Sequence, residues 1–489
     1  MLVGLFIRHY KIYKNINFIP ISTGSGFSAF LGANGIGKSS ILDALDKFFN
    51  GGDWSINAHA KSEGGISTED KLPYIVPVFC IPKEELSGPH SDAADLLSAY
   101  LWETKLKTTE TLSAFYELRE KLKEYNFTKD THYLIAIGKQ FNKGNAYLGS
   151  YDKDPELRLT LDTFGIAQKQ LDELLAKISN HYSYLYIPVE ADPTTFSKLE
   201  STHIQKLMDE DIRGKIQTAI SQKTVGTINA SLQSFITDIS SSLKDYKYKG
   251  THKDKLTMND LVEKVFEAYF TIKILHKTNG NSSIPIRDLS AGEKRRALID
   301  LTYSLLARSA TRSQRVILAI DEPDASLHVA ACHDQFSRLS EIPELTIPQT
   351  QLLITTHWYG FLPIIQNGIA HSLSEGKDRI DFFSFDLLNF REQIKHANKA
   401  SKGEKPRDIE LKSYNDMVQS IVSSMVRTPG YNWILCEGLS DKIYLDFYLS
   451  DLVKTQNLRI IPLGGFKEPE SVTSNAATGQ CKFNRCSIR

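Results

Sequence analysis

The sequence has no excess of charge of either sign, few cysteines and no long apolar run. Lysine plus arginine and aspartate plus glutamate number 58 each in 489 residues, so any binding to nucleic acid or membrane must use a local patch. The longest aliphatic run, "VILAI", is far too short to cross a bilayer. Five cysteines, scattered and odd in number, favour a reducing compartment. We therefore expect a globular cytoplasmic protein without a membrane partner.

Strand-like and helix-like patterns divide the chain into five predicted segments. Residues 1–83 alternate apolar runs with turns, which indicates strands. Helical spacing dominates 84–280, although "HYLIAI" and "SYLYIPV" interrupt it as strands, and strand–helix alternation returns in 281–390. Residues 391–430 suggest a linker and a helix, and 431–489 a small strand–helix segment with a polar tail. The sequence thus predicts an α/β fold in which a large helical insertion interrupts one sheet domain.

A glycine-rich stretch, "GANGIGKSS", follows the strand-like "FSAFL" and precedes a helical pattern. It fits G-x-x-x-x-G-K-S, the loop whose backbone N–H groups cradle phosphates. Its lysine would contact the β- and γ-phosphates of ATP, and the next hydroxyl would bind Mg²⁺. The alternative is a glycine turn that only caps a helix. The predicted nucleotide-binding residues here are Gly32, Asn34, Gly35, Gly37, Lys38, Ser39 and Ser40, of which Ser39 is also a predicted metal ligand.

Two later strand-like runs end in polar residues that suit ATP hydrolysis. "RVILAIDEP" delivers Asp321, a candidate Mg²⁺ ligand, and Glu322, a candidate base for the attacking water. Taken alone, an Asp-Glu pair at a strand end would usually be a solvated turn. "QLLITTH" ends in His357, which in this company is a candidate γ-phosphate sensor, although a lone histidine is more often structural.

The stretch "LSAGEKRR" predicts a helix that begins near Ser290. A capping box between Ser290 and Glu293 would explain the motif locally. It would not explain the small pair Ala291-Gly292, which leaves room for a phosphate at the helix N-terminus. Ser290, Gly292 and Glu293 are therefore predicted to contact nucleotide.

Near the end of the chain, "WILCEGLSDKIYLDFYL" predicts a strand, a glycine turn and a helix. Glu437 at the strand end is a candidate metal ligand. A metal site that cuts nucleic acid would need further carboxylates on a later strand. After "RIIPLGG" only Glu468 and Glu470 follow, on either side of Pro469.

Taken together, these motifs resemble the ATP-binding-cassette (ABC) class of ATPases, from Leu2 to about Phe390. The resemblance implies an ABC-type ATPase head in which 32–40 is the phosphate loop, Leu289–Glu293 the signature, Val316–Glu322 the Walker B strand, Ala325–His328 the D-loop and His357 the switch histidine. It implies ATP and Mg²⁺ as ligands. It also implies a homodimer or higher homo-oligomer of heads, since Ser290 and Gly292 would contact the ATP bound by Lys38 of another subunit. Gln140 is a candidate for the glutamine loop.

"DEPDASLH" and the helical insertion resemble the overcoming-lysogenization-defect (OLD) family, which carries a TOPRIM domain after the ATPase. The C-terminal segment then resembles a partial TOPRIM domain, with Glu437 as its first metal carboxylate. The arrangement is similar to ATPases of Septu-type and retron-linked antiphage systems. That similarity implies a separate HNH-type nuclease as partner, and a nucleic acid or a reverse transcriptase–RNA complex as a further one. A self-contained OLD-type nuclease and a DNA-repair ATPase remain as alternatives.

Overall fold

The computed structural model describes residues 1–62, 65–66, 72–86, 91–104, 110–189, 206–207, 210–242, 255–273, 275–279, 282–308, 314–325, 327–376, 379–401, 408–425 and 430–462. Glu468, Glu470, Cys481 and Cys486, with the predicted polar tail, lie outside these residues, as does Ser326 of the predicted D-loop. The described part of the chain contains no helix that is both long and apolar enough to cross a membrane.

The strands, numbered along the chain, are β1 (Leu2–Tyr10), β2 (Tyr13–Pro20), β3 (Phe27–Leu31), β4 (Lys61–Ser62), β5 (Gly65–Ile66), β6 (Tyr74–Pro82), β7 (His132–Ala136), β8 (Gly138–Gln140), β9 (Ala146–Tyr147), β10 (Tyr182–Ile187), β11 (His276–Asn279), β12 (Ser282–Pro285), β13 (Arg315–Asp321), β14 (Gln351–Thr356), β15 (Ile369–Glu375), β16 (Ile380–Asp386), β17 (Asn432–Cys436) and β18 (Leu458–Pro462).

The helices are α1 (Lys38–Asn50), α2 (Ser91–Glu103), α3 (Glu110–Glu124), α4 (Pro155–Thr163), α5 (Gln168–His181), α6 (Glu210–Ala219), α7 (Gln222–Ser242), α8 (Met258–Ile272), α9 (Ala291–Arg308), α10 (Val329–Glu341), α11 (Phe390–Ala400), α12 (Asp408–Met425), α13 (Leu439–Tyr448) and α14 (Ser450–Thr455). The chain forms two compact units, one of residues 1–189 and 311–489 and the other of residues 190–310.

The larger unit contains two six-stranded sheets. The first is antiparallel, in the order β2-β1-β6-β8-β9, with β7 also paired to β6. The second has the order β10-β13-β14-β3-β15-β16 and is parallel except for β16. Helix α1 packs against strands of both sheets and buries Ile41, Leu45 and Phe48, which belong to one continuous core. The parallel sheet therefore brings the carboxyl ends of β3, β13 and β14 to one edge.

Residues 84–280, predicted to be mainly helical, also contribute strands to both sheets of the larger unit. β7, β8 and β9 belong to the antiparallel sheet, and β10 is the edge strand beside β13. Their side chains are mostly buried, which explains why "HYLIAI" and "SYLYIPV" interrupt the helical pattern. Gln140, the glutamine-loop candidate, is the last residue of β8. It lies in the antiparallel sheet, where it pairs with Tyr74 of β6.

The smaller unit is formed by α6 to α9 and the hairpin β11–β12. Helix α8 begins with a capping box in which the Thr257 hydroxyl accepts a hydrogen bond from the Asp260 N–H. Helix α9 buries Leu298, Ile299 and Leu306 along one face. This unit carries the predicted signature.

The C-terminal part of the larger unit contains α11 to α14 and a pair of parallel strands, β17 and β18. Residues 391–400, the first part of the polar stretch predicted as a linker, instead belong to α11, because Phe390 and Ile394 are four residues apart and both are buried. Helix α12 buries Met417 and Ile421 against Ile461 of β18.

Candidate active site

The phosphate loop connects β3 to α1 through Gly32–Gly37. Gly35 and Gly37 have φ of +76° and +100°, a region that favours glycine, and a Cβ on Gly37 would lie 2.6 Å from Ile12 Cδ1. Among the described residues no side chain caps α1, and its first turn has no acidic residue. The N–H groups of this helix end are therefore suited to bind an anion.

The side chain of Lys38 is folded back onto its own loop and is almost fully buried. Its Nζ donates to the carbonyl oxygens of Gly32 and Ala33, at 3.0 Å each, and lies 2.9 Å from Nε2 of His357. Burial lowers the pKa of Lys38, while the nearby carboxylates of Glu322 and Asp321 oppose this effect. The amino group of Lys38 is thus held at the centre of the loop.

Asp321, at the end of β13, accepts two short hydrogen bonds on Oδ1. Ser39 Oγ donates to it over 2.8 Å and Thr355 Oγ1 over 2.5 Å. Tyr186 OH donates weakly to Oδ2, at 3.4 Å. Burial raises the pKa of Asp321, and the bonds from Thr355 and Ser39 partly offset the rise. A hydroxyl and a carboxylate side by side are oxygen ligands of the kind that Mg²⁺ binds, so the residues present fit this ion.

Glu322 and His357 are in contact across the ends of β13 and β14. The distance from His357 Nε2 to Glu322 Oε1 is 3.0 Å, and both side chains are partly exposed. Glu322 has a φ of +47°, which is unusual for a residue other than glycine. Its N–H donates to the carbonyl and the hydroxyl of Thr355. Glu322 therefore reaches water while its backbone is held.

A second acidic residue, Asp324, follows in the same loop. Thr356 Oγ1 donates to Asp324 Oδ1 over 2.6 Å, and burial raises the pKa of Asp324. The Trp358 N–H donates to Thr356 Oγ1 over 3.0 Å. Two adjacent threonines of β14 thus each bind one carboxylate, Thr355 that of Asp321 at the end of β13 and Thr356 that of Asp324 in the following loop.

The predicted signature forms a capping box in the smaller unit. Ser290 Oγ donates to Glu293 Oε2 over 2.9 Å, and the Glu293 N–H lies 3.4 Å from Ser290 Oγ. Lys277 Nζ lies 2.7 Å from Glu293 Oε1. The hydrogen bonds from Lys277 and Ser290 lower the pKa of Glu293 to about 2. Ser290 is exposed and Gly292 is buried.

Of the predicted residues in the larger unit, the structure brings together the phosphate loop, Asp321, Glu322 and His357. Ser40 is buried in α1, and Asn34 and Gly35 are exposed at the tip of the loop. Glu437 is exposed and directly follows β17, the strand that pairs with β18. The described residues contain no group of three or more His, Cys, Asp or Glu that could hold a metal ion by themselves.

Sequence patterns missed Thr355, Asp324 and Tyr186. The pair "TT" directly before His357 was a usable signal, since a hydroxyl at the end of a strand beside β13 can reach its carboxylates. Tyr186 had no such signal. Its contact depends on β10 lying next to β13, which is far from it in the sequence.

The family model described as "AAA ATPase domain" matches residues 1–359. The chain belongs to this family. Comparison with curated proteins gave no match. Membership, together with the phosphate loop, the carboxylates and the histidine described above, makes the chain an ATP-binding ATPase, and the predicted α/β fold is confirmed.

Solved structures similar to this AAA ATPase domain protein include Smc heads. One is the Smc head bound to the C-winged helix domain of ScpA, with 13% identity, a TM-score of 0.39 and coverage of 80% of this chain and 99% of that one. Another is the SMC head domain from Thermotoga maritima, with 14% identity, a TM-score of 0.32 and coverage of 79% and 99%. The chain is also similar to the solved structure of Stu0660 of Streptococcus thermophilus, with 12% identity, a TM-score of 0.34 and coverage of 97% of this chain and 99% of that one.

Proposed function

We propose that the chain hydrolyses ATP at a composite site between two heads and that the nucleotide state gates a partner nuclease. The observation that carries the hydrolytic part is the chain of contacts from Lys38 through His357 to Glu322, at the shared edge of three parallel strands. It places the ring of His357 within hydrogen-bonding distance of both a cation for phosphate and a carboxylate.

In this proposal Lys38 exchanges the carbonyls of Gly32 and Ala33 for phosphate oxygens. Ser39 and Asp321 would hold Mg²⁺, which when bound would neutralise charge on the phosphates. Glu322 accepts a proton from the attacking water, and His357 donates to the γ-phosphate. The pair of hydrogen bonds from Ser39 and Thr355 supports the role of Asp321, because it fixes one carboxylate oxygen.

A second head would complete the site. Ser290, Gly292 and Glu293 would then contact the nucleotide held by Lys38 of the other subunit. The exposed Ser290 at the start of α9 supports this role, because a helix N-terminus favours negative charge. The division of the chain at residues 83, 280, 390 and 430 remains part of the proposal.

The biological assignment is an antiphage system of the Septu or retron type, in which a separate HNH-type nuclease cuts. It is supported by the OLD-like motifs and by the order of an ATPase followed by a TOPRIM-like strand and helix. A second candidate, a self-contained OLD-type nuclease, is favoured by one observation, the exposed Glu437 at the end of a parallel strand.

A combined assay separates the two candidates. The purified full chain is incubated with ATP, Mg²⁺ and either duplex DNA or RNA, and phosphate release and strand cleavage are both followed. We expect phosphate release without cleavage. Cleavage that is lost in Glu437→Gln but kept in Asp441→Asn, a matched change on the next helix, would favour the nuclease. The absence of any ATP turnover would contradict both.

A further inference from the structure

Thr355 lies between two acidic residues of the active site and is fully buried. It is the register partner of Asp321 in the parallel pair β13–β14. Its hydroxyl donates to Asp321 Oδ1 over 2.5 Å and accepts the N–H of Glu322 over 2.9 Å. Its carbonyl accepts the same N–H over 3.1 Å. One threonine therefore contacts the carboxylate of one acid and the backbone of the next.

The backbone of Glu322 needs such support. A φ of +47° is sparsely populated by residues with a Cβ, and it persists only where the surroundings hold it. If Glu322 relaxed to a negative φ, its side chain would leave the position from which Oε1 contacts His357 at 3.0 Å. The two acceptors of Thr355 hold the N–H of this residue.

We propose that Thr355 is a positioning residue for ATP hydrolysis, whose hydroxyl aligns the Asp321 carboxylate and the Glu322 backbone together. The inference rests on the proposed function, in which these two acids serve Mg²⁺ and the attacking water. A single hydroxyl is suited to this task because it donates one hydrogen bond and accepts another. Preorganisation of this kind lowers the reorganisation needed when the substrate binds.

Two substitutions separate the hydroxyl from the volume of the side chain. Thr355→Val keeps the shape and removes the hydroxyl, whereas Thr355→Ser keeps the hydroxyl and removes a methyl group. Thr350→Val is the control: it removes another fully buried hydroxyl, bonded to Thr346 Oγ1 at 2.7 Å, next to the other end of β14. ATP affinity is measured without Mg²⁺, kcat with saturating ATP and Mg²⁺, and Tm for each variant.

We expect Thr355→Val to lower kcat by ~10–100-fold, the usual effect of losing a partner that orients a ligand or catalytic group. Its affinity for ATP should be unchanged, and Thr355→Ser and Thr350→Val should keep kcat near that of the wild type. A lower kcat in Thr355→Ser than in Thr355→Val would show that packing matters and overturn the inference. So would a wild-type kcat in Thr355→Val.

Glu322→Gln distinguishes failure of this inference from failure of the proposed function. If Glu322→Gln hydrolyses ATP at the wild-type rate, the proposed site is wrong whatever Thr355 does. If Glu322→Gln hydrolyses ATP slowly but measurably, the double variant with Thr355→Val decides the role of Thr355. Because the threonine acts partly through Glu322 and partly through Asp321, the second change should lower the residual rate by a smaller factor than it lowers the wild-type rate. If Thr355→Val lowers the rate by the same factor in the wild type and in Glu322→Gln, the threonine does not act through Glu322.

Discussion

His357 Nε2 lies 2.9 Å from Nζ of Lys38, so this histidine and the lysine of the glycine-rich loop are in direct contact. An ammonium only donates, and the contact is therefore a hydrogen bond only when Nε2 carries no proton. The same nitrogen lies 3.0 Å from Glu322 Oε1, to which it can donate only when protonated. One proton on Nε2 thus decides whether the ring binds the lysine or the carboxylate.

Lys38→Ala should abolish productive ATP binding, because the phosphates would lose the cation at the centre of their loop. Removal of one such preorganised charge typically costs ~10²–10³ in rate. The measurement is ATP turnover together with binding of a fluorescent ATP analogue. Lys47→Ala is the control, since Lys47 lies in the last turn of the same helix and pairs with Asp43 and Asp46. Near-normal turnover by Lys38→Ala would show that the glycine loop is only a turn.

Glu322→Gln should keep the affinity for ATP and stall hydrolysis. The amide still accepts a hydrogen bond from water but cannot take its proton. Dimers should then accumulate with ATP, which light scattering after size-exclusion chromatography can measure. A parallel fall of affinity and rate would instead indicate that Glu322 binds the metal or supports the fold.

Ser290→Arg tests whether the signature acts on the nucleotide of another subunit. The variant should bind ATP as a monomer but fail to dimerise and hydrolyse it, because a bulky cation fills the space that the γ-phosphate needs. If Ser290 only caps α9, the loss should be about 1 kcal/mol of stability and little else. Thermal unfolding and ATP turnover distinguish the two.

Mixing Ser290→Arg with Lys38→Ala chains completes that test. A two-site dimer can assemble one intact composite site from the two defective partners, so part of the activity should return. The measurement is turnover of the mixture against the sum of the separate proteins. A mixture no more active than its parts, with melting temperatures that fall in step with activity, would exclude the contact between subunits.

Asp334→Asn should weaken attachment of the C-terminal strands. Asp334 on α10 accepts hydrogen bonds from Tyr431 and, over 3.0 Å, from Arg459 of β18. Burial alone would raise its pKa, but bonds from His333 and Tyr431 and the charge of Arg459 lower it below the ordinary value. Because both ionic side chains are partly exposed, we expect a loss of only about 1 kcal/mol.

The pH dependence of this contact has a defined sign. A carboxylate with a lowered folded-state pKa stabilises the fold fully above its unfolded-state pKa, here 3.8, and progressively less as the pH falls below it. The difference in Tm between the wild type and Asp334→Asn should therefore be constant near neutrality and shrink below about pH 4. A difference that grows in acid would contradict the assignment.

The features predicted best were those that lie at the end of a strand recognisable in the sequence. The phosphate loop, Asp321 and His357 each follow an apolar strand, and parallel strands bring such ends to one edge. Tyr186 was missed because its contact depends on β10 becoming the neighbour of β13, whereas the threonines directly before His357 were a signal that could have been used. Helix α11 was missed for another reason: its charges outnumber its two buried residues, so the polar pattern dominated the prediction.

Helix α12 contacts residues that follow the two loops proposed to take part in ATP hydrolysis. Asp416 accepts a hydrogen bond from the N–H of Tyr359 over 2.7 Å, and Tyr359 lies two residues after His357. Ser420 Oγ donates to the carbonyl of Val329, the first residue of α10, which follows the loop that contains Glu322 and Asp324. The same helix packs on β18. Linkage between sites is reciprocal. A ligand that bound the C-terminal strands and displaced α12 would therefore also change the contacts at Tyr359 and Val329, next to the residues proposed to hydrolyse ATP.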